Sequence, residues 1–187
     1  SLTQPTLMAK IVTKELTVEG ILAGWKEYDG TTEATHLLVL TNATLVGLVG
    51  GDDVTLNDDF VVGVFADSNA GPIQTVTVSG LILEGADADN YSLTQPTLTA
   101  KITLKELTTE GITVGDKVYD GNPYATDPEG SSLLVLTNAT LVGLVGGDDV
   151  TLNDDYAAGV FADADVGDDK TVTVSGLILE GADADNY

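Results

Sequence analysis

The sequence predicts an all-β protein made of two tandem small β-sandwich modules of the Ig-like kind. Three observations carry that expectation. The 187-residue chain repeats itself: residues 1–30 match 92–121 at 22 of 30 positions, and 37–91 match 133–187 at 46 of 55. Its apolar residues are mostly Val, Ile and Leu interleaved with Thr, and Gly, Asp and Asn clusters break these runs at intervals of about 8 to 12 residues, the rhythm of short strands and turns. Aromatic residues make up only 5% of the chain while Gly occurs 21 times, so the modules are small-cored and rich in turns.

Taken in chain order, strands are expected at Ile11–Leu16, Gly20–Ala23, Leu37–Leu40, Asp53–Leu56, Val61–Phe65 and Ser92–Leu98, with counterparts in the second copy. Strict alternation is clearest in Thr171-Val172-Thr173-Val174 and its twin at Thr75–Val78, which places Val on one face and Thr on the other. After Ser175-Gly176 the apolar phase changes to Leu177-Ile178-Leu179, which predicts a bulge or bend at the glycine. The stretch from Ala43 to Val49 reads two ways, because Leu45, Leu48 and Val49 also fit i, i+3, i+4 spacing; a short helix there gives β-grasp-like modules instead of sandwiches. Between the matching blocks, TTEATH at 31–36 is replaced by NPYATDPEGSS at 122–132. A length change there marks a surface loop.

Composition removes several function classes. The formal net charge is -23, with 7 basic residues against 30 acidic ones, and the pI is near 4.1. Nucleic acid demands a basic face and anionic lipid repels such a chain, so neither nucleic-acid binding nor membrane insertion is expected. Mean hydropathy is nevertheless +0.16, enough apolar matter to fold. Cys is absent and His36 is the one histidine, which removes disulfides, thiolate zinc sites and cysteine nucleophiles. No apolar run reaches the roughly 18 residues of a membrane helix.

Pro5 and Pro96 sit at equal positions in SLTQPTL, and proline belongs at strand edges or starts because it donates no hydrogen bond. This segment is therefore expected to close the module before it. On that reading residues 1–8 close an upstream module or form a linker, 9–99 form the first module, and 100–187 form a second that lacks its last strand. Strand addition through Ser1–Leu7, with head-to-tail self-association, follows as an expectation, since an unpaired edge is a template for another chain.

The combination KELT, KxYDG, LVGLVGGDDVTLN, GxFAD and VSGLILEGADADNYSLTQPTL closely resembles the YDG-type repeat, a relative of the MBG repeats. It covers nearly the whole chain twice, through Lys26, Tyr28-Asp29-Gly30, Gly51-Asp52-Asp53, Gly85-Ala86-Asp87 and Asn90-Tyr91, and through Lys117, Tyr119-Asp120-Gly121, Gly147-Asp148-Asp149, Gly181-Ala182-Asp183 and Asn186-Tyr187. The resemblance implies a secreted module that occurs in tandem in very large bacterial surface proteins of the filamentous-haemagglutinin and adhesin kind, with no catalytic residues to carry over.

The acidic clusters are the constellations with chemical potential. Asp52, Asp53, Asp58 and Asp59 flank one short strand, and Asp148, Asp149, Asp154 and Asp155 flank its twin, while Asp87 and Asp89 form a D-x-D matched by Asp183 and Asp185. Calcium takes several oxygen ligands and is the one cofactor that this pattern leaves open. Equally, short acidic side chains in turns bond the local backbone. Adjacent carboxylates in Gly-rich turns lack the burial that acid–base catalysis needs, so no enzyme is expected. His36 falls in the variable loop. Trp25 lacks a counterpart, and Tyr28 with Tyr119 is better read as a core anchor than as a sugar platform.

The expectation is a non-catalytic structural repeat in an extracellular stalk, fibre or filament of a bacterial surface adhesin, partnered by neighbouring repeats. The alternative is a calcium-dependent module that binds carbohydrate or another surface.

Overall fold

The computed structural model describes residues 2–187; Ser1, part of the expected Ser1–Leu7 strand addition, lies outside them. The chain divides into two compact units, the first running to Thr103 and the second from Leu104 to Tyr187. Both are almost entirely β, with single-turn 3-10 helices as their helical content among the described residues.

In the first unit the strands are β1 (Lys14–Glu19), β2 (Leu22–Ala23), β3 (Lys26–Glu27), β4 (Leu38–Val39), β5 (Thr44–Val46), β6 (Thr55–Asn57), β7 (Val62–Phe65), β8 (Gln74–Ser79), β9 (Ile82–Glu84), β10 (Tyr91–Leu93), β11 (Thr97–Ala100) and β12 (Ile102–Thr103). Two three-stranded sheets dominate, ordered β10-β1-β5 and β11-β8-β7. Alternation does what the sequence promises. In β1 Leu16 and Val18 point inward, and in β8 Val76 and Val78 do. Val18, Ile21, Val78 and Leu81 form one core cluster with Leu45, Leu93 and Leu98 against it, so residues of both sheets meet there as in a small sandwich. Leu16, Val54 and Tyr91 form a second cluster.

The ambiguous 43–49 stretch is a strand: β5 pairs antiparallel with β1, Leu45 opposite Val18. Gly47 at φ +99 ends it, and no helix forms. The β-grasp alternative therefore does not apply. At Ser79-Gly80, twin of the predicted bend, Gly80 adopts φ +81 and a Cβ there would lie 2.0 Å from the Phe60 carbonyl oxygen. Only glycine makes that turn without strain.

Two expected strands come out differently. The strand placed at Ile11–Leu16 begins only at Lys14, and residues 2–13 carry no regular structure and are exposed. The strand placed at Ser92–Leu98 is broken at Thr94–Pro96. β10 pairs parallel with β1, whereas β11 pairs antiparallel with β8 in the other sheet. Pro96 cannot continue a ladder, and the Gln95 side chain bridges the crossing instead. Its Oε1 accepts from the Leu81 N–H at 3.1 Å and its Nε2 donates to the Leu81 carbonyl at 2.8 Å.

The second unit repeats the plan with β13 (Thr108–Glu110), β14 (Thr113–Val114), β15 (Leu134–Val135), β16 (Thr140–Val142), β17 (Thr151–Asn153), β18 (Ala158–Phe161), β19 (Val172–Ser175) and β20 (Ile178–Glu180). All its sheets are two-stranded. Among its described residues no strand corresponds to β3, β10, β11 or β12.

Candidate functional site

The K-x-Y-D-G motif builds a buried ammonium clamp. β3 turns Lys26 inward, where it is 9% exposed. Its Nζ donates to Asp29 Oδ1 at 2.7 Å, to the Thr31 carbonyl at 2.7 Å and to Thr31 Oγ1 at 3.0 Å, and it lies 5.7 Å from the centroid of the Phe65 ring. Three donors with three acceptors make the burial of a charge tolerable. Asp29 also accepts from the Thr31 N–H at 2.9 Å. Burial pushes the Asp29 carboxyl up, but the Lys26 ammonium and the Thr31 donors outweigh it and hold the group below its ordinary range. In the second copy Lys117 Nζ meets Asp120 at 2.9 Å, the Asn122 side-chain oxygen at 2.7 Å and the Tyr124 carbonyl at 2.7 Å. The motif shapes a turn.

The GDD and NY motifs meet across the first unit. The Tyr91 hydroxyl donates to Asp52 Oδ2 at 2.5 Å and accepts from the Val49 N–H at 3.1 Å. Tyr187 donates to Asp148 Oδ2 at 2.6 Å and accepts from the Val145 N–H at 2.9 Å. Both phenols are pushed above their ordinary range, Tyr91 first by its bond to Asp52 and Tyr187 first by burial. Sequence reasoning missed this latch. Its signal was a Tyr 39 residues after an Asp in both copies.

Among the other candidate aspartates, Asp53, Asp87 and Asp183 turn their carboxylates to backbone N–H groups. The Asp53 N–H donates to Asp87 Oδ2 at 2.9 Å, the Ala86 N–H to Asp53 Oδ2 at 3.3 Å, and the Asp87 N–H to the Asp53 carbonyl at 3.1 Å. Asp149 and Asp183 repeat the pairing at 2.8 Å. The carbonyls of Asp58 and Asp154 close turns by accepting from the N–H groups of Val61 and Ala157. Asp59 and Asp155 donate their N–H groups to Asn57 and Asn153, and Asp89 and Asp185 sit in 3-10 first turns. Among the described residues no three His, Cys, Asp or Glu converge to hold a metal. His36 pairs with Glu33 at 2.6 Å on the surface, and Trp25 is exposed. Tyr28 is core, as expected, whereas Tyr119 is 63% exposed.

That last contrast extends along a whole face. In the first unit residues 92–103 lie over β1, β8 and β3. The Thr94 N–H donates to the Leu16 carbonyl at 2.9 Å, the Val78 N–H to the Pro96 carbonyl at 3.2 Å, the Lys26 N–H to the Lys101 carbonyl at 3.1 Å and the Tyr28 N–H to the Thr103 carbonyl at 3.0 Å. Under this cover Leu16, Phe65, Val76 and Val78 are buried. Their twins Leu107, Phe161, Val172 and Val174 are only half-buried. One cleft of about 460 Å³ is lined by Lys117, Tyr119 and Phe161, and another of about 320 Å³ by Leu107, Leu177 and Tyr187.

Repeated β modules whose polar motifs are committed to turns, latches and a shared closing segment define a tandem β-repeat protein. The family model of the YDG domain matches the chain twice, over residues 12–100 and 103–187, and the chain belongs to the YDG domain family. No curated protein and no solved structure matches it.

Proposed function

We propose that the chain is a non-catalytic structural repeat in an extracellular stalk, fibre or filament of a bacterial surface adhesin. The observation that carries this reading is the direction of the closing strands. β10 runs parallel to β1 and β12 parallel to β3, with β1 near the start of the first unit and β12 at its end. Tension applied to the two ends of that unit loads these ladders in shear, so several hydrogen bonds resist together instead of opening singly. The closing residues are also the opening residues of the next sequence repeat. Folding one copy therefore consumes the start of the following one, which suits a continuous load-bearing array. The uniform negative charge supports the same reading, because it keeps neighbouring fibres apart and hydrated.

Force spectroscopy on the chain held by its two ends tests it. A discrete cooperative rupture of the first unit is expected, at higher force than when the same unit is pulled through residues placed to peel β12 open. Extension without a resolvable rupture would remove the load-bearing role.

A further inference from the structure

Lys117, Asp120 and Asn122 place a nucleophile, a proton carrier and an electrophile on one turn of the second unit. The Lys117 side chain is 9% exposed, and its Nζ donates to Asn122 Oδ1 at 2.7 Å. A carbonyl bond is about 1.23 Å long, so Nζ lies no more than about 4 Å from Asn122 Cγ. The backbone carbonyls of Asn122 and Tyr124 accept from the same Nζ at 3.0 and 2.7 Å and hold it in place. Asp120 touches both reacting groups: its Oδ1 is 2.9 Å from Nζ, and its Oδ2 accepts from Asn122 Nδ2 at 2.8 Å. The Tyr124 N–H donates to Asn122 Oδ1 at 3.0 Å, where negative charge collects when an amide carbon is attacked. Asn122 is followed by Pro123, which has no N–H, so the backbone attack by which an asparagine side chain ordinarily loses ammonia is closed. The same frame occurs in the first unit, where Lys26 reaches Asp29 and Thr31. Thr31 holds the position of Asn122 in the repeat, and its hydroxyl offers no acyl carbon.

We propose that the side chains of Lys117 and Asn122 join in an intramolecular isopeptide bond, formed by the chain itself with release of ammonia. The Asp120 carboxyl is held below its ordinary range, first by the Asn122 N–H and then by Lys117, so it meets the ammonium as a carboxylate. It takes one proton from Nζ, and the freed electron pair attacks Cγ while the carbonyl pair moves onto Oδ1. A second proton leaves Nζ as the Nζ–Cγ bond forms. Asp120 relays both protons to Nδ2, the carbonyl re-forms, and the Cγ–Nδ2 pair departs with the nitrogen as ammonium. Nothing is oxidised or reduced, and Asp120 ends as it began. Fixing the two groups on one turn supplies the proximity that such an attack needs. The product exchanges a buried charge for an amide and ties down the turn from which the 122–132 loop departs. This bond does not depend on where the protein works or on the force it bears, so failure of the mechanical test leaves it standing.

Intact-mass spectrometry reads the reaction directly. The folded chain, kept at neutral pH until its mass is constant, is expected to be lighter than its sequence by one ammonia. Trypsin is expected to leave Lys117 uncut, and fragmentation to place the bond between Lys117 and Asn122. Asn122→Thr, which installs the first unit's residue, is expected to keep the full mass with an unchanged circular dichroism spectrum. Asp120→Asn, which preserves the shape of the turn but carries no proton, is expected to slow bond formation by about 100-fold or more. A folded parent chain that retains its full mass overturns the proposal. So does ammonia lost at any residue other than Asn122, a loss that persists in Asn122→Thr, or an Asp120→Asn chain that reacts at the parent rate.

Discussion

The hydroxyl of Tyr91 donates to Asp52 Oδ2 at 2.5 Å, joining the end of the first sequence repeat to a turn near its middle. The ring packs with Leu16 and Val54, so one side chain both fills core and fastens the GGDD turn. Tyr187 and Asp148 repeat the bond at 2.6 Å.

Because both phenols titrate above their ordinary value of 10.0 in the folded chain, the latch contributes stability that is complete below that pH. It is lost as the pH climbs through the higher folded values. Thermal unfolding between pH 8 and 12 should show a steep fall in Tm above about pH 10. Tyr91→Phe with Tyr187→Phe keeps the rings, lowers Tm at neutral pH by a few degrees or about 5 °C, and flattens the alkaline slope. An unchanged slope in the double variant would show that the latch does not form in solution.

Leu16 and Leu107 hold the same repeat position, but only Leu16 lies beneath a closing strand. Leu16→Ala is expected to cost its unit about 3 kcal/mol or more through lost burial and a cavity, and Leu107→Ala about 1 kcal/mol or less in the monomer. Hydrogen exchange of amides in each unit separates the two values. Equal losses would mean that the closing segment adds no burial.

Most of the strand pattern was legible because alternation around Val76, Val78 and their twins is local. The 43–49 stretch was not, since Leu45, Leu48 and Val49 fit either period and the pairing of Leu45 with Val18 decides it. The break at Pro96 was half legible: proline forbade a continuous ladder, but nothing local shows that the chain changes sheets there. The candidate aspartates were found as a set, while their roles depend on partners far along the chain, as Asp53 with Asp87 illustrates.

The Lys26 clamp predicts an acid limit. Asp29 and Asp120 titrate below their ordinary value of 3.8: burial opposes the shift at Asp29 and its donors win, whereas at Asp120 the Asn122 N–H leads and Lys117 follows. Stability from these groups is present above that value and is lost as pH falls through the lower folded values. Asp29→Asn should therefore lower stability at pH 7 and lose less than the parent chain between about pH 4 and 2. Equal acid slopes in urea titrations would remove the clamp from the acid response.

Gly80 predicts a backbone-controlled defect. At φ +81, with a Cβ position 2.0 Å from the Phe60 carbonyl, Gly80→Ala must shift the β8–β9 turn and is expected to cost more than about 2 kcal/mol. Gly50, around which a Cβ meets open space, is the control, and Gly50→Ala should change the urea midpoint little.

Calcium addresses the acidic turns directly. A metal cage needs several carboxylate and carbonyl oxygens turned to one point, but Asp52 faces Tyr91, Asp53 faces the Ala86 N–H and Asp87 faces the Asp53 N–H. Removing a carboxylate from these partners to serve a cation gives up bonds that hold the turns. Calcium and magnesium at equal millimolar concentration should therefore shift Tm alike, through screening of the net charge of -23. A ligand that binds only the folded state raises its stability in proportion to the logarithm of concentration over Kd. A calcium-specific rise of several degrees would thus show that the aspartates gather around the ion in solution, and substituting Asp53 or Asp87 by Asn would then locate it.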